Sequence, residues 1–225
     1  VPYYELPRYI TQVSLPAPTA QYIINQQQSA VYNSGLQADA GGTAIISQTL
    51  QLNQIPDKLV LYVRKPAANQ SYGDADVFLP IRGVSINFNN NSGILSSARS
   101  QDLYRMSKDN GSNQNWLEWT GQVSGCARKV LGSVVPATDA SQWSETVDFA
   151  VFPTAGSCLM LEFGKDIQLV EDYFAPGSLG NFNIQLNLLV DNTMKACSAP
   201  KAAQNFELVM ITMNSGVFVC ERGTS

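Results

Sequence analysis

Residues that could carry out catalysis are sparse in this sequence. None of its 225 residues is a histidine, which excludes Ser-His-Asp and Cys-His catalysis and histidine-ligated metal sites. A glycosidase would need two carboxyl groups about 5–9.5 Å apart across a cleft. Glu145 and Asp148 would lie on opposite faces of a strand. Glu162 points away from its strand's apolar face, and Glu118 has no evident partner. The sequence therefore predicts that the protein is not an enzyme.

Metal-binding patterns are equally weak. The cysteines are far apart and form no CxxC pair: Cys126, Cys158, Cys197 and Cys220. Zinc bound by four thiolates needs closer clustering, so buried free thiols in a reducing compartment are the better interpretation. The acidic residues of Asp74–Asp76 are too few for a calcium loop. We expect neither a metal nor any other cofactor.

Three tryptophans leave one binding function open. Trp116 and Trp119 are spaced so that they could form a carbohydrate platform, and Trp143 could add to it. Such tryptophans more often pack between a helix and a sheet. Packing is therefore favoured, and a carbohydrate-binding jelly-roll module remains the rival hypothesis.

The composition points to protein partners. Only 14% of the residues are charged while 44% are hydrophobic, so we interpret the surface as partly covered by protein neighbours, with a neutral polar monomer as the alternative. The net charge of −4 and the scattered basic residues disfavour direct contact with nucleic acid. No apolar run approaches the ~18–20 residues of a membrane span. Because the chain opens without Met in the middle of a pattern, we expect it to be an excerpt of a longer polypeptide.

A strand followed by a helix occupies Leu79–Gly111. Val84, Ile86 and Phe88 alternate with polar residues, but the apolar residues upstream have the opposite parity. A bulge at Gly83 would absorb the extra residue.

The strand is followed by an Asn-rich turn over Asn90–Gly93 and then by a helix. Ser97, or alternatively Ser96, would cap the helix at its start, and Asn110-Gly111 would end it. On the helix, Leu103, Met106 and Tyr104 are expected to pack inward, with Arg105 and its charged neighbours towards solvent or another chain.

Alternating apolar residues predict further strands. The predicted segments are Tyr3–Val13, Thr43–Gln54 (Ala44, Ile46, Leu50 and Leu52 inward), Lys58–Arg64, Ser157–Phe163, Asn181–Val190 and Phe206–Met213. Thr43–Gln54 and Lys58–Arg64 are expected to be antiparallel neighbours across Ile55–Asp57. Gln21–Gly42 and Gly125–Thr154 are predicted to be mainly loop.

The strand Phe206–Met213 is apolar on both faces. One face carries Phe206, Leu208 and Met210, and the other carries Val209, Ile211 and Met213. Such a strand is covered on both faces. The second cover could be a thick core of the same domain, or another domain or subunit; the sequence leaves both open. Asn214–Gly216 is expected to turn or kink this strand.

About eight strands, one short helix and long crossing loops define the predicted fold. They favour an all-β, eight-stranded jelly-roll sandwich of two antiparallel sheets with one flanking helix. No repeat or change in composition marks a second domain, so residues 1–225 are predicted to form a single jelly roll.

Several stretches, in order along the chain, resemble the C-terminal jelly roll of double jelly-roll major capsid proteins of the virophage, Polinton-like or adintovirus-like lineage. They are Pro2–Thr11 (PYYELPRYIT), Leu52–Pro66, Gly83–Gly111, Asn113–Gly121 (NQNWLEWTG), Leu161–Leu169 (LEFGKDIQL), Gly180–Thr193 and Glu207–Ser225. The excursion over Cys126–Thr154 and the cysteines lie outside the pattern.

The resemblance implies a structural protein without enzymatic role or required cofactor. This chain would be the second of two jelly rolls, and three copies of the whole protein would form a pseudo-hexameric trimer that tiles an icosahedral capsid. The protein would lie in the virion, assembled inside the host cell, with neighbouring capsomers and penton or minor capsid proteins as partners. A minor capsid protein is an alternative. The candidate subunit or domain interface residues are Leu103, Tyr104, Arg105, Trp116, Trp119, Val209, Ile211 and Met213.

Overall fold

The computed structural model describes residues 1–16, 23–24, 42–70, 78–130, 145–169, 174–191 and 204–219, with the backbone alone for 23–24, 122–130 and 145–153. The strands are β1 (Pro2–Glu5), β2 (Arg8–Leu15), β3 (Ile23–Ile24), β4 (Thr43–Ile46), β5 (Leu50–Gln54), β6 (Lys58–Arg64), β7 (Ile81–Phe88), β8 (Asn91–Ile94), β9 (Gln122–Val130), β10 (Glu145–Pro153), β11 (Leu159–Glu162), β12 (Leu179–Val190) and β13 (Gln204–Val217). The helices are α1 (Ser100–Asp109), α2 (Trp116–Trp119) and a 3₁₀ turn at Ala67–Asn69.

Two antiparallel five-stranded sheets dominate the structure. In the first, the β13 sheet, the order is β1-β13-β6-β11, and β2 also pairs with β13. In the second, the β12 sheet, the order is β4-β12-β7-β8, and β5 also pairs with β12. Sequence neighbours thus repeatedly fall in different sheets, as jelly-roll connections require. The prediction of an all-β sandwich of two antiparallel sheets is confirmed.

One hydrophobic core lies between these two sheets. Alternate residues of β6 (Leu59, Leu61 and Val63) are fully buried and join one cluster with the inward residues of β12. The ring of Phe88 on β7 lies 5.3 Å from that of Phe163, which follows β11 in the other sheet. Period-two alternation in the long strands therefore predicted the core-facing residues correctly.

The predicted bulge in β7 is present. Gly83 pairs with Leu189, yet the next pair along is Ile81 with Val190, so Arg82 is the extra residue. The bulge resets the parity of β7, and Ile81 and the later apolar residues of the strand are all buried.

The predicted strand over Thr43–Gln54 is two strands, and its facing is partly wrong. Ile45 is buried while Ile46 is 61% exposed, the reverse of the expectation. Ser47 explains the change, because its N–H donates to the Leu186 carbonyl and its hydroxyl accepts from the Leu186 N–H, at 2.8 and 2.9 Å. This side-chain bond replaces a backbone hydrogen bond between the strands. The buried residues are odd-numbered at Ile45 and Ser47 and even-numbered at Leu52, so the alternation shifts by one residue between them.

The prediction that β5 and β6 are neighbours is also wrong. They belong to opposite sheets, and Ile55–Asp57 crosses between them. Ile55 is fully buried, and its N–H donates to the Ser178 carbonyl beside β12. The Asp57 N–H donates to the Met213 carbonyl of β13. Both ends of the link are therefore fixed, one to each sheet.

Other segments contain more strand than predicted. The turn after β7 is confined to Asn89 and Asn90, and Asn91–Ile94 pairs back on β7 as β8. β13 runs straight through the expected kink at Asn214–Gly216 and pairs there with β1. β9 and β10 form a long hairpin inside the predicted loop, and with β3 they make a third, three-stranded sheet.

Candidate functional site: the helical corner and the outer face of the β13 sheet

Helix α1 covers the edge of the β13 sheet at β11. The Ser107 hydroxyl accepts a hydrogen bond from the Met160 N–H at 3.1 Å. The Asn110 side-chain amide donates to the Met160 carbonyl at 3.0 Å. These are backbone groups that a further strand would otherwise pair with. The side chains of Ser107 on α1 and of Asn110, which caps its C-terminal end, therefore close this edge to strand addition.

Asn110 also fixes the end of α1 to the loop after β11. Its amide nitrogen donates to Asp166 Oδ2 at 2.5 Å, and its Oδ1 accepts from Lys165 Nζ at 2.8 Å. Lys58 Nζ donates to the Asn110 carbonyl at 3.2 Å. Because Asn110 is buried, its polar side-chain atoms need partners within the protein, and this network supplies one to each of them. The predicted helix end at Asn110-Gly111 is confirmed, with Gly111 at φ +106°.

The start of α1 differs from the prediction. The cap is Arg99 rather than Ser97 or Ser96, and the Arg99 N–H donates to Asp102 Oδ2 at 3.0 Å. The Asp102 carboxylate in the first turn thus satisfies the N–H of the cap residue, as in a capping box. The Asp102 N–H, which a cap hydroxyl would have served, donates to the Arg99 carbonyl at 2.9 Å.

Helix α2 places the two tryptophans differently. Trp119 is fully buried, and its indole N–H donates to the Ser100 hydroxyl at 3.3 Å. Trp116 is 36% exposed. The Tyr104 ring lies between α1 and α2, 5.3 Å from the Trp116 ring and 6.0 Å from that of Trp119. This arrangement is aromatic packing between helices and sheet.

The geometry gives little support to the alternative functions. Trp119 offers no ring face to a sugar, so it cannot form a platform with Trp116. Trp143 lies outside the described residues, as do the side chains of Glu145 and Asp148.

Glu118 has a structural partner. Its carboxylate accepts from the Asn115 N–H at 2.8 Å, and Asn115 Oδ1 accepts from the Glu118 N–H at 2.9 Å. This is a capping box at the start of α2, so Glu118 stabilises the short helix.

Sequence reasoning missed Ser157, which joins the corner to the β12 sheet. Its hydroxyl donates to the Trp119 carbonyl at 2.7 Å and accepts from the Ile81 N–H at 2.9 Å. Next to it, Gly156 has φ +79°, and a Cβ there would lie 1.8 Å from the Phe78 carbonyl oxygen. Buried polar residues in connections have no periodicity, so their only sequence signal was a Gly-Ser pair just before a strand.

Cys158 is a free thiol on this corner, as predicted. Burial raises the pKa of its thiol because the charged thiolate is poorly solvated there. The sulfur is therefore held in its neutral form. The side chain of Cys126 and all of Cys197 and Cys220 lie outside the described residues.

The outer face of the β13 sheet carries the other candidate residues. Phe206, Leu208 and Met210 of β13 point into the core. On the opposite face, Ile211 and Met213 are partly exposed. Beside them on β2, Ile10 is 47% exposed. This face is thus apolar and only partly covered within the domain.

An ion-pair group lies on the same face. The Glu207 side chain is 8% exposed and accepts from Arg64 Nε at 2.5 Å, and the Arg8 guanidinium lies 3.7 Å away. One buried carboxylate between two arginines leaves the group with a net positive charge.

Three of the eight predicted interface residues require correction. Leu103, Trp119 and Val209 have no exposed surface, because the domain itself covers them. They can support an interface only by positioning their neighbours. The remaining predicted residues reach the surface: Tyr104, Arg105, Trp116, Ile211 and Met213.

The described residues contain no group of three or more Cys, Asp or Glu side chains placed to hold a metal ion. Within the same part of the chain, none of the helices has the length and apolar character needed to cross a membrane.

Comparisons with known proteins agree with the geometry. A family model described as the major capsid protein V20 C-terminal domain matches residues 6–216. A putative capsid protein V20 of Sputnik virophage is 33% identical over 198 residues, covering 85% of this chain and 27% of that protein.

Two solved structures are also similar. In the cryo-EM structure of Sputnik virophage, one chain is 28% identical with a TM-score of 0.65, covering 96% of this chain and 36% of that one. The crystal structure of the mavirus major capsid protein has a TM-score of 0.64 at 15% identity, over 95% of this chain and 38% of that one. The mavirus likeness shows the fold alone. The chain thus spans roughly a quarter to two fifths of these relatives' length.

Proposed function

Because the chain belongs to the family of the major capsid protein V20 C-terminal domain, we propose that it is the second of two jelly rolls in a virophage-type major capsid protein. Three copies of the whole protein form a pseudo-hexameric capsomer, and capsomers tile an icosahedral shell. The protein lies in the virion and is assembled inside the host cell. The observation that carries the proposal is the family match over residues 6–216 together with the two-sheet fold.

The physical properties of the chain support a purely structural role. We propose that it has no enzymatic activity and needs no cofactor, because its polar side chains on the helical corner are used in caps and in backbone hydrogen bonds. Its net charge of −4 disfavours direct contact with the genome. Its partners are other copies, neighbouring capsomers and penton or minor capsid proteins.

The oligomeric state of the full-length protein tests the proposal. We expect mass photometry to show a trimer, and electron microscopy of co-expressed capsid proteins to show shells with capsomers of sixfold outline. A full-length protein that stays monomeric at every concentration and never assembles would refute it. A protein found only at the vertices would instead identify a minor capsid protein.

The carbohydrate-binding hypothesis has a separate test. A glycan array would have to show specific binding that Trp116→Ala abolishes without loss of folding. We expect no such binding, because only one of the two described tryptophans is exposed.

A further inference from the structure

Asn110 and Gly111 form the one Asn-Gly pair of the sequence. In such a pair the backbone nitrogen of the glycine can attack the side-chain carbonyl carbon of the asparagine. A C–N bond forms and closes a succinimide ring, while the bond to the side-chain nitrogen breaks and ammonia leaves with the proton of the backbone nitrogen. Water then opens the ring to aspartate or isoaspartate. Glycine obstructs this attack least because it has no Cβ.

The fold directs the attacking nitrogen away from its target. Ring closure requires the Gly111 nitrogen to come close to the side-chain carbonyl carbon of Asn110. At the end of α1 the ψ angle of Asn110 is 6°, which turns that nitrogen towards the backbone nitrogen of Asn110 and away from its Cβ. The Gly111 N–H also donates to the Lys108 carbonyl at 3.1 Å. The reaction therefore cannot begin from this conformation.

The side chain under attack is equally restrained. Asn110 is 5% exposed, and its side chain bonds to Met160, Asp166 and Lys165. These partners lie on β11 or in the loop after it, so the side chain can turn towards Gly111 only when α1 moves off the edge of the β13 sheet. Helix ends open locally more easily than the rest of a fold. Opening of this corner is therefore the step that exposes Asn110 to the reaction.

The product of the reaction could not restore the same contacts. The Asn110 amide nitrogen donates to the Met160 carbonyl and to Asp166, whereas an ionised aspartate has acceptors and no donor. Its carboxylate would meet the carboxylate of Asp166, and like charges repel each other. Lys165 would remain a partner of the new carboxylate. Isoaspartate would in addition lengthen the backbone at the helix end. Either product should therefore destabilise the closed corner.

We propose that Asn110 is a deamidation site that the fold keeps inactive, and that its modification is a one-way switch of the β11 edge. While α1 covers the edge, the reaction is blocked. Once the corner has opened and Asn110 has reacted, the corner closes less firmly, and the backbone groups of Met160 become available for pairing with another strand. The proposal concerns this chain alone and does not depend on the capsomer.

The rate of conversion tests the protection. The protein is held in mildly alkaline buffer with and without urea, and peptide mapping by mass spectrometry measures aspartate and isoaspartate at Asn110. We expect the unfolded chain to convert at least about tenfold faster, because one hydrogen bond to a charged group already corresponds to about that factor in an equilibrium constant. Asn113 is the internal control, since it is exposed in the folded chain. Equal rates at Asn110 in both conditions would overturn the proposal.

Variants that loosen the corner make the test sharper. Asp166→Ala removes an acceptor of the Asn110 amide, and Ser107→Ala removes the acceptor of the Met160 N–H without touching Asn110. Each should raise the rate in the folded protein about tenfold, with thermal unfolding to verify the fold. Lys108→Ala is the matched control, because Lys108 is an exposed residue of α1 and its carbonyl is kept. Unchanged rates in both loosening variants would contradict the proposal.

Asn110→Asp tests the consequence of the modification. We expect this variant to have an unfolding equilibrium constant about tenfold or more above that of the wild type. Hydrogen exchange of the Met160 amide should also be faster, because the edge is covered for less of the time. A variant as stable as the wild type, with unchanged exchange at Met160, would overturn the switch.

Discussion

Asn110→Ala should destabilise the protein by about 2–4 kcal/mol, since Asn110 joins α1 to the edge of the β13 sheet. The substitution removes a hydrogen bond to the Met160 carbonyl, one to Asp166 and one from Lys165. A neutral hydrogen bond contributes about 1 kcal/mol and one to a charged group about 1.5–3 kcal/mol. The contribution of Lys165 must be discounted because its side chain is 49% exposed and water can replace the amide.

Urea unfolding monitored by tryptophan fluorescence measures this effect. We expect a lower midpoint with an unchanged m-value, because the fold itself is kept. Asn113→Ala is the matched control, since Asn113 is an exposed Asn three residues along the chain. A loss below about 0.5 kcal/mol, or one equal to that of the control, would refute the edge-covering role of Asn110.

Ser107 gives an internal check on the same reasoning. Ser107→Ala leaves the partly buried Met160 N–H without its acceptor, and should cost about 1–2 kcal/mol. Because both side chains bond to Met160, the double variant should depart from additivity by more than about 0.5 kcal/mol. Additive losses would mean that the two bonds act independently.

Three further predictions concern the connection beside this corner. Gly156→Ala should prevent or severely impair folding, because the new Cβ would overlap the Phe78 carbonyl oxygen. Gly177→Ala is the control and should have a far milder effect, because φ is also positive there but no atom lies within 4 Å. Equal yields of soluble protein from the two variants would contradict this prediction. Ser157→Ala should lower stability by about 1.5–3 kcal/mol in urea unfolding, since it leaves a buried N–H unsatisfied, and a neutral effect would count against the bridge. The thiol of Cys158 has a pKa raised by burial. Its contribution to the free energy of unfolding should therefore be full below about pH 8.5, the usual pKa of an unfolded cysteine, and should decline as pH rises. Unfolding of wild type and Cys158→Ala under reducing conditions should show the difference in their free energies of unfolding shrinking only above that pH.

The long strands could be predicted from sequence because burial alone sets their pattern. In β6 and β12, successive side chains point alternately into the core and away from it. The alternation of apolar and polar residues therefore shows directly which side chains face the core. The same logic located the bulge at Gly83, where a change of parity had to be absorbed. It failed at Ile46, because a serine side chain took a ladder position after it and shifted the phase.

Strand partners and polar supports could not be predicted in this way. Alternation shows which face of a strand is buried. Because strands of both sheets bury one face, alternation cannot show which sheet a strand belongs to, and it therefore could not assign β5 and β6 to opposite sheets. Buried polar residues such as Ser157 and Asn110 bond to backbone atoms far away in sequence. Their roles depend on which segments meet, which no local pattern encodes. Asn110 was found only through its separate preference for helix ends.

The β13 sheet is asymmetric in a way that bears on assembly. At β11 its edge is covered, because Ser107 and Asn110 occupy the backbone groups of Met160. At β1 and β2 no described strand pairs with the outer edge, and the exposed apolar side chains concentrate on that side. A sheet with one covered edge and one open, apolar side presents different surfaces in its two lateral directions. Among the described residues, the side at β1 and β2 is therefore the one that leaves sheet backbone open to pairing with another protein, whereas α1 prevents this at β11.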